Sequence, residues 1–504
     1  MKSLPFVVAA LGAILSFACD SPSGHVGAQG GSGGLAGGVA NGGASATAGS
    51  SGSDFASATL FDVGMPGGFG SLPHSGHVSV LSAGGYQLFR DGNSGVLLVG
   101  SISQPPAAAT PYEEREGLSV IRLAADGDLQ WSKFLSTSTT NYGGAVIDES
   151  GNAYIAGSFR GQLELDGHVI SSTVNPGAIA YGGDQRGLAS LDIFLLKLNR
   201  AGGVEWLERF GGVADQAPHA LLRSSDGNLI LVGDFTGKLD FGVAELLSSG
   251  GSTVANSFIA SIDPQGQVIA TRQFEQGLAI ASATIDSRDN LIFACSSQTA
   301  GVLFDDPALA VPEGGWVLKL DANWQPMWAK GLDAQLSPAL NQVVIDREDD
   351  IVIAGDGYGH PNLFGTPIGD RAVILAKLDP TGASIFANTY GADDLDFAAS
   401  AAVLSDDSIA FTGGFYETID FGGGELDCLE PHLYKSDVFV ARVDARGNHL
   451  ASLRAGGAGS DWGFSIVATP NDTLVTAGEF ANAADFGGSP VTTVAGPYVA
   501  WFEP

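Results

Sequence analysis

Residues 192–242 read DIFLLKLNRAGGVEWLERFGGVADQAPHALLRSSDGNLILVGDFTGKLDFG. Short apolar runs alternate there with turns rich in Gly, Asp and Asn. The run Leu229-Ile230-Leu231-Val232 opens directly after the turn Ser225-Asp226-Gly227-Asn228. Runs this short, with period-2 alternation and tight turns between them, predict β-strands joined by hairpins.

The same order of landmarks recurs outward in both directions. An apolar strand followed by an Asp-x-x-Gly-like turn stands at 120–127, 193–202, 258–266, 316–325, 373–382 and 438–447, with an incomplete copy at 498–504. A second strand closes on Gly100, Gly157, Gly233 and their counterparts to the end of the chain, again in seven copies. A third landmark follows in six units: Leu165-Asp166-Gly167, Asp240-Phe241-Gly242, Phe304-Asp305, Phe364-Gly365, Asp420-Phe421-Gly422 and Asp485-Phe486-Gly487. A period of about 60 residues made of about four short strands is that of a unit unable to bury its faces alone.

The expected fold is therefore all-β, a seven-bladed β-propeller, with six or eight blades as alternatives if one degenerate unit is misread. Nothing follows the last strand at 498–502, while 56–64 resembles the strand that should come next, so the two ends are expected to complete one blade. Two units depart from the pattern and predict irregular blades. The fourth has Ala294-Cys295 in place of Gly, and the fifth has no Trp or Gly-Gly after Asp379-Pro380-Thr381-Gly382.

Written as D-x-F-x-x-K-L-D-x-x-G, W-x-x-x-F-G-G, D-G-N-x-x-x-x-G-x-F and D-F-G, these landmarks resemble the SBBP-type β-propeller repeats of bacterial surface and secreted proteins. The resemblance covers about 54–504 and implies a fold and a location, not a reaction.

The N-terminus reads as an export signal. Residues 1–18 carry one cation, Lys2, and an apolar stretch too short to span a bilayer. Leu15-Ser16-Phe17-Ala18-Cys19 resembles a bacterial lipobox, which implies acylation of Cys19; plain secretion is the alternative. Residues 21–53 are nearly all Gly, Ser and Ala without charge, a flexible tether with a reach of about 30 Å. The expected organisation is a signal peptide (1–18), an anchor cysteine with tether (19–53) and the propeller (54–504).

Charge excludes several partners. Against 23 Lys+Arg stand 55 Asp+Glu, a formal net charge of -32, which repels nucleic acid and anionic lipid surfaces. The three cysteines, Cys19, Cys295 and Cys428, form no C-x-x-C or Cys/His cluster. Cys295 lies in an apolar run and predicts a buried thiol, whereas Cys428, in a polar loop, predicts an exposed one.

No nucleophile elbow, H-E-x-x-H, P-loop or EF-hand loop occurs. His74 and His77 are a close pair in a loop, read as a solvated pair or a metal site. Asp215, Asp396 and Asp461 occupy one equivalent loop position before a predicted inner strand. Their carboxylates would surround the channel mouth and hold a hard cation such as Ca²⁺, or else accept hydrogen bonds from their own Gly-rich turns. The equivalent Thr139, Gly277 and Ser337 carry no charge, so a complete acidic ring is not expected and no cofactor is required. Asp126, Asp226, Asp263 and Asp379 read as turn residues. Arg122, Lys197, Lys319, Lys377 and Arg442 recur at one strand position, which predicts pairing within each blade.

Segments 104–117, 171–190, 246–255 and 424–436 vary while their flanking strands do not, and loops on a rigid scaffold carry binding. The expected function is an exported envelope binding or scaffold module recognising a polysaccharide or protein. The alternative is an exported enzyme, glycan-cleaving or quinone-dependent, since 126–131 and 201–206 resemble tryptophan-docked quinoprotein blades.

Overall fold

Strand pairing in the computed structural model of the chain closes seven sheets into a ring. The structure describes residues 58–61 and 86–502, apart from 93–94, 105–114, 126, 138–139, 175–188, 252–254, 275–277, 298–300, 312, 332–338, 359–361, 364–365, 368–370, 392–395, 431–434, 482–483 and 486–495. Each blade is an antiparallel sheet whose strands run outward from the channel in chain order, except that the outermost strand of the last blade comes from the start of the chain. Blade 3 is typical, with Gln216–Arg223 innermost, then Leu229–Phe235, Asn256–Ile262 and Val268–Phe274. The innermost strands of the other blades are Gln87–Arg90, Thr140–Ile147, Ile280–Ile285, Ala339–Ile345, Phe397–Val403 and Trp462–Ala468. Each contacts the next around the ring, and the last returns to the first.

The sequence repeat and the blade are out of phase. Residues 192–242 supply the two outer strands of blade 2 and the two inner strands of blade 3. That offset makes both ends of the chain share blade 7, where Ala58–Phe61 pairs with Gly496–Phe502 in the register Ala58 to Phe502 through Phe61 to Val499. The fourth and fifth units form regular four-stranded blades, contrary to the irregularity expected of them. Cys295 is fully buried where the glycine of other units stands, and Phe386 takes the position of the missing Trp.

The core lies between blades, not within them. Ile193 and Leu195 of blade 2 pack with Leu229, Leu231 and Phe258 of blade 3, and Val475, Val499 and Trp501 of blade 7 pack with Leu88, Leu98 and Ile121 of blade 1. A middle strand is thus covered on both faces and reads as a continuous apolar run over most of its length, as Leu229-Ile230-Leu231-Val232 does in Leu229–Phe235. The Asp-Phe-Gly landmark is the turn of a small extra hairpin, Lys238–Asp240 with Glu245–Leu247 in blade 3. Its Phe241 wedges between Phe210 of the preceding blade at 5.2 Å and Phe258 at 5.5 Å.

The Trp landmark joins neighbouring blades. The indole N–H groups of Trp131, Trp206 and Trp328 donate to the carbonyls of Arg200, Pro264 and Pro380 in the next blade's outer turn, at 2.9, 3.2 and 3.2 Å. In blade 5 the Asn388 amide reaches the Gly447 carbonyl instead, at 2.6 Å.

Candidate functional site

The two faces of the ring differ in how their polar groups are used. On one face lie the turns between first and second and between third and fourth strands, and there the charges are internally matched. Arg122 pairs with Asp91 at 2.5 Å, Lys319 with Asp286 at 2.9 Å, Lys377 with Asp346 at 2.6 Å and Arg442 with Asp406 at 2.7 Å, as the recurrence of these cations predicts. Lys197 differs in partner, meeting Glu205 at 2.9 Å. Asp263 and Asp379 accept main-chain N–H groups two and four residues on, and Asp226 accepts from Asn228 and Ser224. These are turn residues; Asp126 lies outside the described residues. Successive turns are also tied together, Asp289, Asp349 and Asp472 each accepting both the N–H and the hydroxyl of a serine one blade back.

The opposite face carries the connections between blades and the loops after each second strand. Asp215, Asp396 and Asp461 all lie on it at matching positions. Each ties its inter-blade loop to the residue that follows the second strand of its own blade. The Asp215 carbonyl accepts the Thr236 N–H at 2.9 Å, the Asp396 carboxylate accepts that of Tyr416 at 2.9 Å, and the Asp461 carboxylate accepts that of Ala481 at 2.8 Å. Asp215 stays half-exposed, accepting the Leu191 N–H at 2.8 Å and facing Arg160 at 3.3 Å. Asp461 is fully buried, accepts a second N–H from Gly457 at 2.7 Å, and lies beside Asp437. Burial and that neighbouring carboxyl push the Asp461 carboxyl up to about 6. Any calcium here would share oxygens already accepting N–H donors, and among the described residues no three His, Cys, Asp or Glu side chains gather where one ion would sit.

The channel mouth holds groups that sequence reasoning missed. In the innermost strands of blades 2 to 7 the register slips by one residue, bulging Gly143, His219, Ala281, Asn341, Ala399 and Phe464. A bulge re-aims a side chain. His219 Nε2 lies 3.1 Å from an Asp234 carboxylate oxygen, and the Ser257 hydroxyl donates to the other oxygen. A histidine oriented by a carboxylate is an arrangement able to move a proton. Asn341, at the same position in blade 5, donates to Asp356 at 2.8 Å and to the Ala398 carbonyl of blade 6 at 2.8 Å. Burial pushes Asp356 up to about 6 and raises Glu479, its counterpart in blade 7.

Beside these, Phe397, Tyr416 and Trp462 cluster across blades 6 and 7, all half-buried. Ring centroids are 5.2 Å apart for Phe397 and Trp462, and 6.1 Å for Tyr416 and Trp462. Two faint signals could have found these groups: an acid directly after the strand glycine (Gly233-Asp234, Gly355-Asp356, Gly478-Glu479), and an aromatic directly after the loop aspartate (Asp396-Phe397, Asp461-Trp462).

Two other expectations meet the structure here. Cys428 is buried, not exposed: its thiol sits 3.3 Å from the Lys435 carbonyl, and burial pushes it up to about 11. Of the variable segments, the described end of 171–190 lies on the face of Asp215, since the Arg160 guanidinium reaches both the Ala189 carbonyl and the Asp215 carboxylate; residues 105–114 lie outside the described residues. Cys19, His74, His77, Thr139, Gly277 and Ser337 lie outside the described residues.

No family model matches the chain. The regulatory protein FlaEY of Caulobacter vibrioides is 30% identical over 146 residues, which make up 29% of this chain and 15% of that protein. Among solved structures, a streptogramin B lyase superposes with a TM-score of 0.41 at 9% identity, over 85% of this chain and 95% of the lyase. An ulvan lyase superposes with a TM-score of 0.43 at 9% identity, over 80% and 93%. A glucose dehydrogenase gives 0.32 at 10%, over 64% and 95%. None of these likenesses bears on ligand or reaction.

Proposed function

We infer that the chain is an exported cell-envelope binding or scaffold module, of the SBBP type in its repeats, recognising a polysaccharide or protein through the loop face of the propeller. One observation carries this reading: the loop face presents the half-open cluster of Phe397, Tyr416 and Trp462, while the opposite face spends its charges on its own turns. Rigid aromatics contribute large contact area at little entropic cost. Cys19 would carry the lipid anchor and 19–53 the tether, placing the module at the outer membrane or cell surface; secretion is the alternative. The net charge of -32 argues against nucleic acid.

Arrays of polysaccharides and of envelope peptides, offered to the wild-type chain and to Trp462→Ala, test the reading. Retention that the variant loses supports it, and no retention on either array rejects it. Calcium enters through Asp215, Asp396 and Asp461. A midpoint of unfolding raised by millimolar Ca²⁺ and insensitive to calcium in the triple Ala variant would make the metal part of the face. No rise would leave the three as loop clamps.

The His219–Asp234 pair favours a second reading, an exported enzyme that moves a proton at the channel mouth. Cleavage of any arrayed polysaccharide, abolished by His219→Gln, would establish it.

A further inference from the structure

The cluster on blades 6 and 7 is built, not incidental. Asp396 holds the Tyr416 main chain and directly precedes Phe397, and Asp461 holds Ala481 and Gly457 and directly precedes Trp462. Gly414 lets the rings meet, since a Cβ there would lie 2.8 Å from Phe397 and 3.0 Å from Trp462. Blades 3, 5 and 7 have Asp234, Asp356 and Glu479 at that strand position. Trp462 makes no hydrogen bond through its indole N–H among the described residues.

Glu479 stands directly opposite Trp462 in the strand pair, a spacing that brings Cβ atoms to about 5 Å. It is half-buried, and among the described residues no cation or N–H group pairs with it. The other titratable groups nearby are occupied: Asp396 and Asp461 accept N–H donors, Asp437 pairs with Arg454 at 2.8 Å, and Tyr86 is a buried neutral hydroxyl. Aromatic faces and an unpaired carboxylate both attract a positive charge.

We propose that Phe397, Tyr416, Trp462 and Glu479 form a binding site for an alkylammonium group, supplied by a lysine side chain of a basic partner protein. A lysine stem is long enough to lay its methylenes on the half-buried rings while its charge reaches the carboxylate, whereas the amine of an amino sugar sits directly on a bulky ring. The proposal rests on the loop-face reading above and names what that face takes.

Binding of a tetralysine peptide to the whole chain, measured by calorimetry beside its fully Nε-acetylated form, tests it. The expected result is that acetylation weakens binding at least about tenfold, and that Trp462→Ala does the same while Trp462→Phe, which keeps an aromatic face, loses less. Because the ammonium favours ionised Glu479, affinity should rise as pH increases through that group's titration, and Glu479→Gln should remove the rise. Binding that survives Trp462→Ala is long-range attraction to an acidic chain and overturns the proposal, as does equal binding of the acetylated peptide. Displacement by a glucosamine oligomer at lower concentration than by tetralysine overturns the lysine assignment. An arrayed ligand that needs Trp462 but carries no ammonium would keep the loop-face reading and end this one.

Discussion

The Ser465 hydroxyl accepts the Leu88 N–H at 3.0 Å, joining the last blade to the first across 377 positions of chain. Ser400 accepts the Ile466 N–H at 3.0 Å, Ser282 that of Val343 at 3.2 Å, and the Gln342 side chain that of Ala401 at 2.5 Å. The closing seam is thus made like the internal ones, by a polar side chain just after the inner-strand bulge reaching the next inner strand.

Ser465→Ala leaves the buried Leu88 N–H without its acceptor, and such a loss costs about 1–3 kcal/mol. Urea unfolding of the variant should show a lower midpoint at unchanged slope. An unchanged midpoint would mean that the outer pairing of 58–61 alone holds the ring.

Arg122 and Asp91 are both buried, and the guanidinium also donates to the Gly151 carbonyl of blade 2 at 2.6 Å. Arg122→Ala removes the buried cation facing the Asp91 carboxylate, for which a loss of about 3–5 kcal/mol is expected. Arg223→Ala, which breaks an exposed pair with Glu149, should cost less than about 1 kcal/mol. Urea titration of both variants checks the contrast.

Gly447 and Gly167 share a left-handed backbone, with φ of 83° and 84°. A Cβ at Gly447 would lie 2.8 Å from Asn388 and Phe386 of blade 5, whereas one at Gly167 meets nothing within 4 Å. Gly167→Ala should cost about 1–2 kcal/mol from backbone alone, and Gly447→Ala about 1–3 kcal/mol more because the blades must part. Equal losses in thermal unfolding would contradict the docking role of that turn.

Asp356 and Asp461 hold their protons more tightly folded than unfolded, each being pushed up to about 6 from 3.8. Their contribution is full below pH about 4 and is lost as pH rises through about 6, on the order of 2–3 kcal/mol each. Asp286 and Asp444 are shifted down, largely by the Lys319 and Asn448 hydrogen bonds that oppose desolvation, and act in the opposite sense in stronger acid. Stability should therefore fall between about pH 4 and about pH 6, and Asp356→Asn, whose amide oxygen still accepts from Asn341, should flatten the fall. A midpoint that climbs over that range would refute the assignment.

The sequence by itself determined what repeats. Strand period, turn chemistry and the Trp and Asp-Phe-Gly landmarks are local or nearest-neighbour signals, and their recurrence, sevenfold for the strands and less complete for the other landmarks, made the blade count, the closure and the matched turns around Asp263 and Asp379 legible. The position of Asp215, Asp396 and Asp461 on one face was legible for the same reason. Tertiary structure decided what does not repeat. His219 meets Asp234 only because a bulge turns it, and Phe397, Tyr416 and Trp462 come from three separate segments that touch where two blades adjoin. Cys428 looked exposed from its polar neighbours and is buried, because burial in a loop depends on what packs over it from elsewhere in the ring. A closed ring brings distant residues to one mouth, and which of them meet there depends on bulges and loop paths that leave no period in the chain.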